Sequence, residues 1–156
     1  MPLPYDPGPG PGPGDASTTR PRRPVDLNAN EVLRLLGSVS LGRIVFTQHA
    51  LPAIRPVNRI VHDSDIVAHT HQGAALAAHV QGSTVDPGVV VAYEANAIDP
   101  DTHLGWSVVG VGYARLVTDP AELDDYRGRL QPWVDQAMDF AVRIYPEVIT
   151  GRRLTV

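Results

Sequence analysis

The residues best suited to chemistry in this chain lie between Ala53 and His71, in the stretch AIRPVNRIVHDSDIVAHTH. It reads as two strands joined by a polar turn. A period of two puts Ala53, Arg55, Val57 and Arg59 on one face of the first strand, and Ile54, Pro56, Asn58 and Ile60 on the other. His62-Asp63-Ser64-Asp65 supplies the turn, because short polar side chains bond the local backbone. The return arm, Ile66 to Thr70, carries His69 and Thr70 and runs into His71. One hairpin thereby gathers Arg, Asn, Thr and His, a set able to cradle a phosphorylated ligand. Gly73 to Val80, GAALAAHV, reads as a short helix directly after it. A strand running into a helix start favours an anion, since free N–H groups and the helix dipole point the same way.

Composition narrows the chemistry. The chain has 156 residues, enough for one domain with a core, and no cysteine. Thiolate zinc sites, cysteine nucleophiles and iron–sulfur clusters are therefore excluded. All thirteen basic residues are arginine, so a Schiff-base lysine and a P-loop lysine are excluded as well. Phosphate must be held by Arg, hydroxyls, His or backbone N–H groups. A net charge of −4, with the arginines spread along the chain, argues against nucleic acid as a partner. No apolar run reaches the length of a membrane span, and the start of the chain lacks the apolar core of a secretory signal. Together these features predict a cytoplasmic protein.

The elements that must position the hairpin follow in order. Residues 1–24 read as a disordered tail, since PGPGPGPGD and TTRPRRP offer little apolar surface to repay ordering. Residues 25–156 form the domain. Asn28 caps a helix running to Leu36, with Glu31 placed for a capping box. Leu41 to Gln48 is a strand, and His49 to Pro52 turns it into the hairpin. Pro56 cannot donate to a ladder, so its strand has an edge, a bulge or a ligand beside it. Val89 to Tyr93 is a buried strand, Glu94 to Leu104 a polar loop, and Trp106 to Val117 a long strand. Gly110 and Gly112 suit a sharp bend or close backbone approach there. Asp119-Pro120-Ala121-Glu122 starts a third helix, Gln136 to Ile144 a further short one, and Val148 to Leu154 is a last strand. About six mostly sequential strands predict a mainly β protein: an antiparallel barrel flanked by helices.

Other chemistries fit less well. His69 and His71 share a strand face, as metal ligands can, but no spacing selects a third ligand, so no metal site is assigned. Ser107 lies in GWSVVG, which is not a nucleophile elbow. Trp106 heads a strand, where an aromatic can border a flat ligand.

The order GRIVFT, LPAIRPVN, HTHQGAALAA, VVVAYEA, GWSVVGVGYARLV and RIYPEVITGRRL resembles the pyridoxamine 5′-phosphate oxidase-like flavoproteins from about Val25 to Val156. The resemblance implies a six-stranded split β-barrel and a homodimer with two FMN sites at the subunit interface. Carried over by position, Arg55, Pro56, Val57 and Asn58 line the flavin, and His69, Thr70 and His71 hold its phosphate. Trp106 and Ser107 lie near the ring, from the partner subunit, while Arg152 or Arg153 matches a C-terminal basic position loosely. Many relatives carry a basic residue in the phosphate turn where this chain has Ala75. The implied function is an FMN-binding oxidoreductase moving hydride from a reduced nicotinamide to a small organic acceptor. Two alternatives stay open. One is a reductase using the deazaflavin coenzyme, with Arg59 at the groove rim for its acidic tail. The other is a non-catalytic flavin- or haem-binding dimeric module.

Overall fold

The computed structural model describes residues 20–70, 75–81, 88–129 and 140–156. In chain order the elements are β1 (Arg23–Asp26), α1 (Ala29–Ser38), β2 (Leu41–Gln48), β3 (Leu51–His62), β4 (Asp65–Thr70), α2 (Ala75–Gln81), β5 (Val89–Ile98), β6 (Gly105–Leu116), α3 (Pro120–Arg129) and β7 (Phe140–Thr155).

All the strand pairings are antiparallel. The sheet runs β1-β7-β4-β3-β2-β5-β6, and β6 returns to pair with β7. Strands β2 to β7 therefore close a six-stranded barrel. β7 makes the closure because it is long: Phe140–Ile144 pairs with β4, and Val142–Leu154 pairs with β6. β1 is a seventh strand, laid beside Arg152–Thr155 of β7. It begins at Arg23, just inside the stretch that composition assigns to the tail. Most of that tail, and the first part of the segment expected to form a helix from Gln136 to Ile144, lie outside the described residues. Phe140–Ile144 itself is strand, not helix, because Ile66 to Thr70 takes up its backbone groups. β5 also runs on to Ile98, so the loop after it is only Asp99 to Leu104.

Local sequence explains the joints. Asn28 caps α1: its Oδ1 accepts from the Glu31 N–H at 3.0 Å, and Glu31 Oε2 accepts from the Asn28 N–H at 3.1 Å. The hairpin turns are tighter than the sequence suggests. His49-Ala50 and Asp63-Ser64 all have positive φ, as two-residue hairpin turns of primed type require. Asp99 Oδ1 accepts from the N–H groups of Asp101 and Thr102, shaping the turn into β6 and holding its carboxyl below the usual range. Gly112 sits at a register shift against β7, where a Cβ would overlap the Tyr145 carbonyl.

The barrel interior is apolar. Ile44, Phe46, Val57, Ile66, Ala68, Val91, Tyr93, Val108 and Ile144 fill it, with Val32, Leu35 and Leu36 of α1 and Leu76 and Val80 of α2 packed against it. A smaller cluster lies on the outer side of β4, where Tyr126 and Leu123 of α3 cover Val67, Val117, Ala141 and Ile60.

Candidate functional site

The barrel is split along β3. Its C-terminal end, Arg59 to His62, pairs with β4, while Leu51 to Asn58 pairs only with β2. Among the described residues no strand covers the other edge of Leu51–Asn58. Pro52 and Pro56 stand in this half, which accords with the expectation that Pro56 marks an edge.

The candidate residues gather at this split. Arg55 and Pro56 are exposed, Asn58 is half-buried, and Val57 turns into the core. Arg55 meets no carboxylate among the described residues; its Nη1 donates to the Ile54 carbonyl at 2.8 Å. The pair Arg59–Ala68 is the last rung between β3 and β4, so Asn58 and His69 stand one step beyond it on facing strands. Thr70 ends β4 opposite Phe140. His71 lies outside the described residues.

His69 is the most informative of the group. Its Nε2 is buried and has no hydrogen-bond partner among the described residues. Burial pushes its pKa down, and the Arg127 guanidinium lowers it further. The ring is therefore neutral near pH 7, with one nitrogen ready to receive a bond from a ligand or offer one to it. Arg127 was not legible as part of the site: it stands one turn after Leu123 on α3, and nothing in its own sequence neighbourhood links it to β4.

Trp106 and Ser107 are not part of this cluster within one chain. Trp106 is 7% exposed and belongs to the core cluster of its own chain. Ser107, its neighbour, points the other way. It stands between Asn96 of β5 and Arg152 of β7, three strands from β3 in sheet order. There it borders a groove of about 590 Å3, with Asp26, Leu27, Val109, Thr150 and Arg152 among its walls.

Arg59 is corrected more strongly. It is 2% exposed, its Nε donates to the Tyr93 hydroxyl at 2.7 Å, and its guanidinium lies over the Tyr93 ring. Nη2 has no partner. An arginine so enclosed is not at a groove rim and cannot meet an acidic coenzyme tail. Its alternation with Val57 turns it inward, and Tyr93, 34 residues away, receives it.

Three comparisons place the chain. The family model described as pyridoxamine 5′-phosphate oxidase matches residues 28–153. The chain belongs to the pyridoxamine 5′-phosphate oxidase family. Among family-like relatives, an uncharacterized protein of Mycobacterium tuberculosis, Rv0080, is 48% identical over 139 residues, covering 89% of this chain and 91% of the relative. The structure of an FAD-binding protein from Mycobacterium smegmatis is 35% identical, with TM-score 0.67, covering 84% of this chain and 98% of that one. An FAD-binding protein from Mesorhizobium loti, at 17% identity and TM-score 0.68, shares the fold, covering 86% of this chain and 99% of that one. The split barrel expected of a pyridoxamine 5′-phosphate oxidase-like chain is thus the fold observed. No helix among the described residues is long and apolar enough to cross a membrane. Among the same residues no group of three or more His, Asp or Glu side chains comes together as a metal site would.

Proposed function

We propose that this protein is a flavin-dependent oxidoreductase whose cofactor lies along the uncovered edge of β3. The observation that carries the reading is the split itself. Among the described residues, Leu51 to Val57 has no strand on its second edge, and His69 nearby carries a buried Nε2 with no partner among the same residues. Backbone groups of the edge would hold the ring, and Arg55, with His69, Thr70 and His71, would hold the phosphate. The flavin, once bound, supplies the two-electron chemistry, and the protein supplies orientation and charge. The donor is a reduced nicotinamide, the acceptor a small organic molecule, and the compartment the cytoplasm. FMN is the form we assign. The FAD bound by the M. smegmatis relative makes FAD the nearest rival. The deazaflavin reading loses its one supporting residue, because Arg59 is buried.

We assign a homodimer on the outer face of the barrel. Register aligns Ile54, Val45, Ala92, Val111 and Val148 in one row across β3, β2, β5, β6 and β7. Val90, Tyr113 and Tyr145 form the next row. Ile54 is 56% exposed, Val148 58% and Val90 61%. A contiguous apolar strip of this kind marks an association surface, and the same face carries Ser107, which then reaches the ring from the second copy.

The absorbance and fluorescence of the purified protein, before and after loading with FMN and removing the excess, test the cofactor. A retained flavin spectrum supports the reading; a protein that retains neither FMN nor FAD refutes it. Replacing Val148 with Glu and measuring mass by light scattering tests the dimer, with a monomer as the expected outcome.

A further inference from the structure

The groove beside Ser107 has a composition of its own. β1 leaves the sheet at Asp26, and the Leu27 N–H donates to the Gly151 carbonyl at 2.9 Å, so the chain bends away and opens a trough between β1 and β6. Its volume, about 590 Å3, is that of a small-molecule site. Leu27 and Val109 give an aliphatic wall, Ser107 and Thr150 give hydroxyls, and Asp26 and Arg152 face each other at the mouth.

The pair at the mouth is the telling part. Arg152 Nε donates to Asp26 Oδ1 at 3.1 Å, with the two side chains 70% and 85% exposed. An ion pair so open to water contributes little to stability, about 0–1 kcal/mol. It holds a carboxylate and a guanidinium a bond apart, and a ligand that satisfies both can replace it at little cost. A ribonucleotide has the matching groups: a ribose diol to donate to the carboxylate, a phosphate for the guanidinium, and a flat base for the aliphatic wall.

We propose that this groove is a subsite for the ribose and phosphate of a nucleotide, with Asp26 receiving the diol and Arg152 the phosphate. Its place beside Ser107 suits the dinucleotide that delivers hydride to the ring. To that extent the assignment rests on the flavin reading above, but the subsite can be tested without it. A free 2′-hydroxyl is needed at Asp26, because a 2′-phosphate there meets a carboxylate. The subsite therefore selects NAD over NADP.

The test is calorimetric titration of the full chain with NAD+ and with NADP+, beside fluorescence titration with FMN and FAD, for the native protein, Asp26→Asn and Arg152→Ala. Both positions are exposed, so both variants keep the native unfolding temperature as a check on folding. Loss of a charge-assisted hydrogen bond is worth about tenfold in affinity. We expect NAD+ to bind about tenfold more tightly than NADP+, Asp26→Asn to erase that difference, and Arg152→Ala to weaken both, with FMN and FAD binding alike. If instead FAD binds about tenfold more tightly than FMN and Asp26→Asn removes the margin, the nucleotide is the cofactor's own adenylate and the subsite stands. If NAD+ does not bind and FMN and FAD are indistinguishable in the native protein and in Asp26→Asn, the subsite is refuted. Retention of neither flavin, with NAD+ binding that depends on Asp26, refutes the flavin reading and leaves the subsite in place.

Discussion

The two halves of β3 are one strand put to two uses. From Arg59 to His62 it is paired with β4 and fastened from outside. Arg129 of α3 bonds His62 Nδ1 at 2.9 Å and the Val61 carbonyl at 3.3 Å. Arg143 joins Asp65 at 2.8 Å and Glu122 at 3.1 Å, tying β4, β7 and α3 together. From Leu51 to Asn58 the same strand has one neighbour, two prolines and mostly exposed side chains. The half paired with β4 and pinned by Arg129 is the anchor; the half paired with β2 offers backbone groups and the exposed Arg55 guanidinium, bonded to the Ile54 carbonyl, to a ligand. The site needs both, since precise positioning of the open half comes from the closed one.

Mutations that break the closed half act on folding. Arg59→Ala removes a buried side chain and leaves the Tyr93 hydroxyl without its partner, at a cost of about 3 kcal/mol in urea unfolding. Arg143→Ala strands the half-enclosed Asp65 carboxylate and costs about 2 kcal/mol. Mutations in the open half act on binding. Arg55→Ala lowers flavin affinity by about tenfold and changes stability by less than about 0.5 kcal/mol, because its side chain meets only a backbone carbonyl in the free protein. Equal effects of Arg55→Ala and Arg143→Ala on the unfolding midpoint would erase the distinction between the halves.

His69, at the boundary, gives the smallest effect and the finest test. Its folded pKa is lowered, so below the unfolded value of 6.5 the unfolded chain binds the proton more readily. Stability is complete above that pH and falls as pH drops toward the folded value. His69→Gln flattens this slope in unfolding midpoints measured from pH 7.5 down to about 5. A bound phosphate, being an anion beside the ring, shifts the fall to lower stability loss, so the slope also reports ligand.

Much of the closed architecture was legible because it is local. Asn28 and Glu31 announce their own cap, and Leu41 to Gln48 alternates as a half-buried strand must. Glu94 and Asn96 disguised the second half of β5: they are polar because they face outward, where Glu94 pairs with Arg43 at 3.0 Å on β2, its neighbour in the sheet. The sequence expectation starts the last strand at Val148, after a helix to Ile144, whereas one strand runs Phe140–Thr155 with a register shift against Gly112. The hairpin's ligand-facing residues were found by type and alternation. The fates of Arg59 and Trp106 were not, since both depend on which face turns inward, and that is decided by partners far along the chain. Asp26 and Arg152 are 126 residues apart, and only closure of the barrel makes them neighbours.

That closure has a consequence for how the protein is made. β7 joins β4 to β6, and it also receives β1, so the strand that comes last in the barrel's chain order completes three pairings. Until it emerges, β4 and β6 each present a bare edge, and Arg23–Asp26 has nothing to lie against. A nascent chain halted before residue 140 is therefore a curled open sheet prone to sticking to its neighbours. The contacts that finish the barrel span long separations in the sequence, so folding is slow relative to helical proteins of this size, and the emergence of β7 decides between barrel and aggregate.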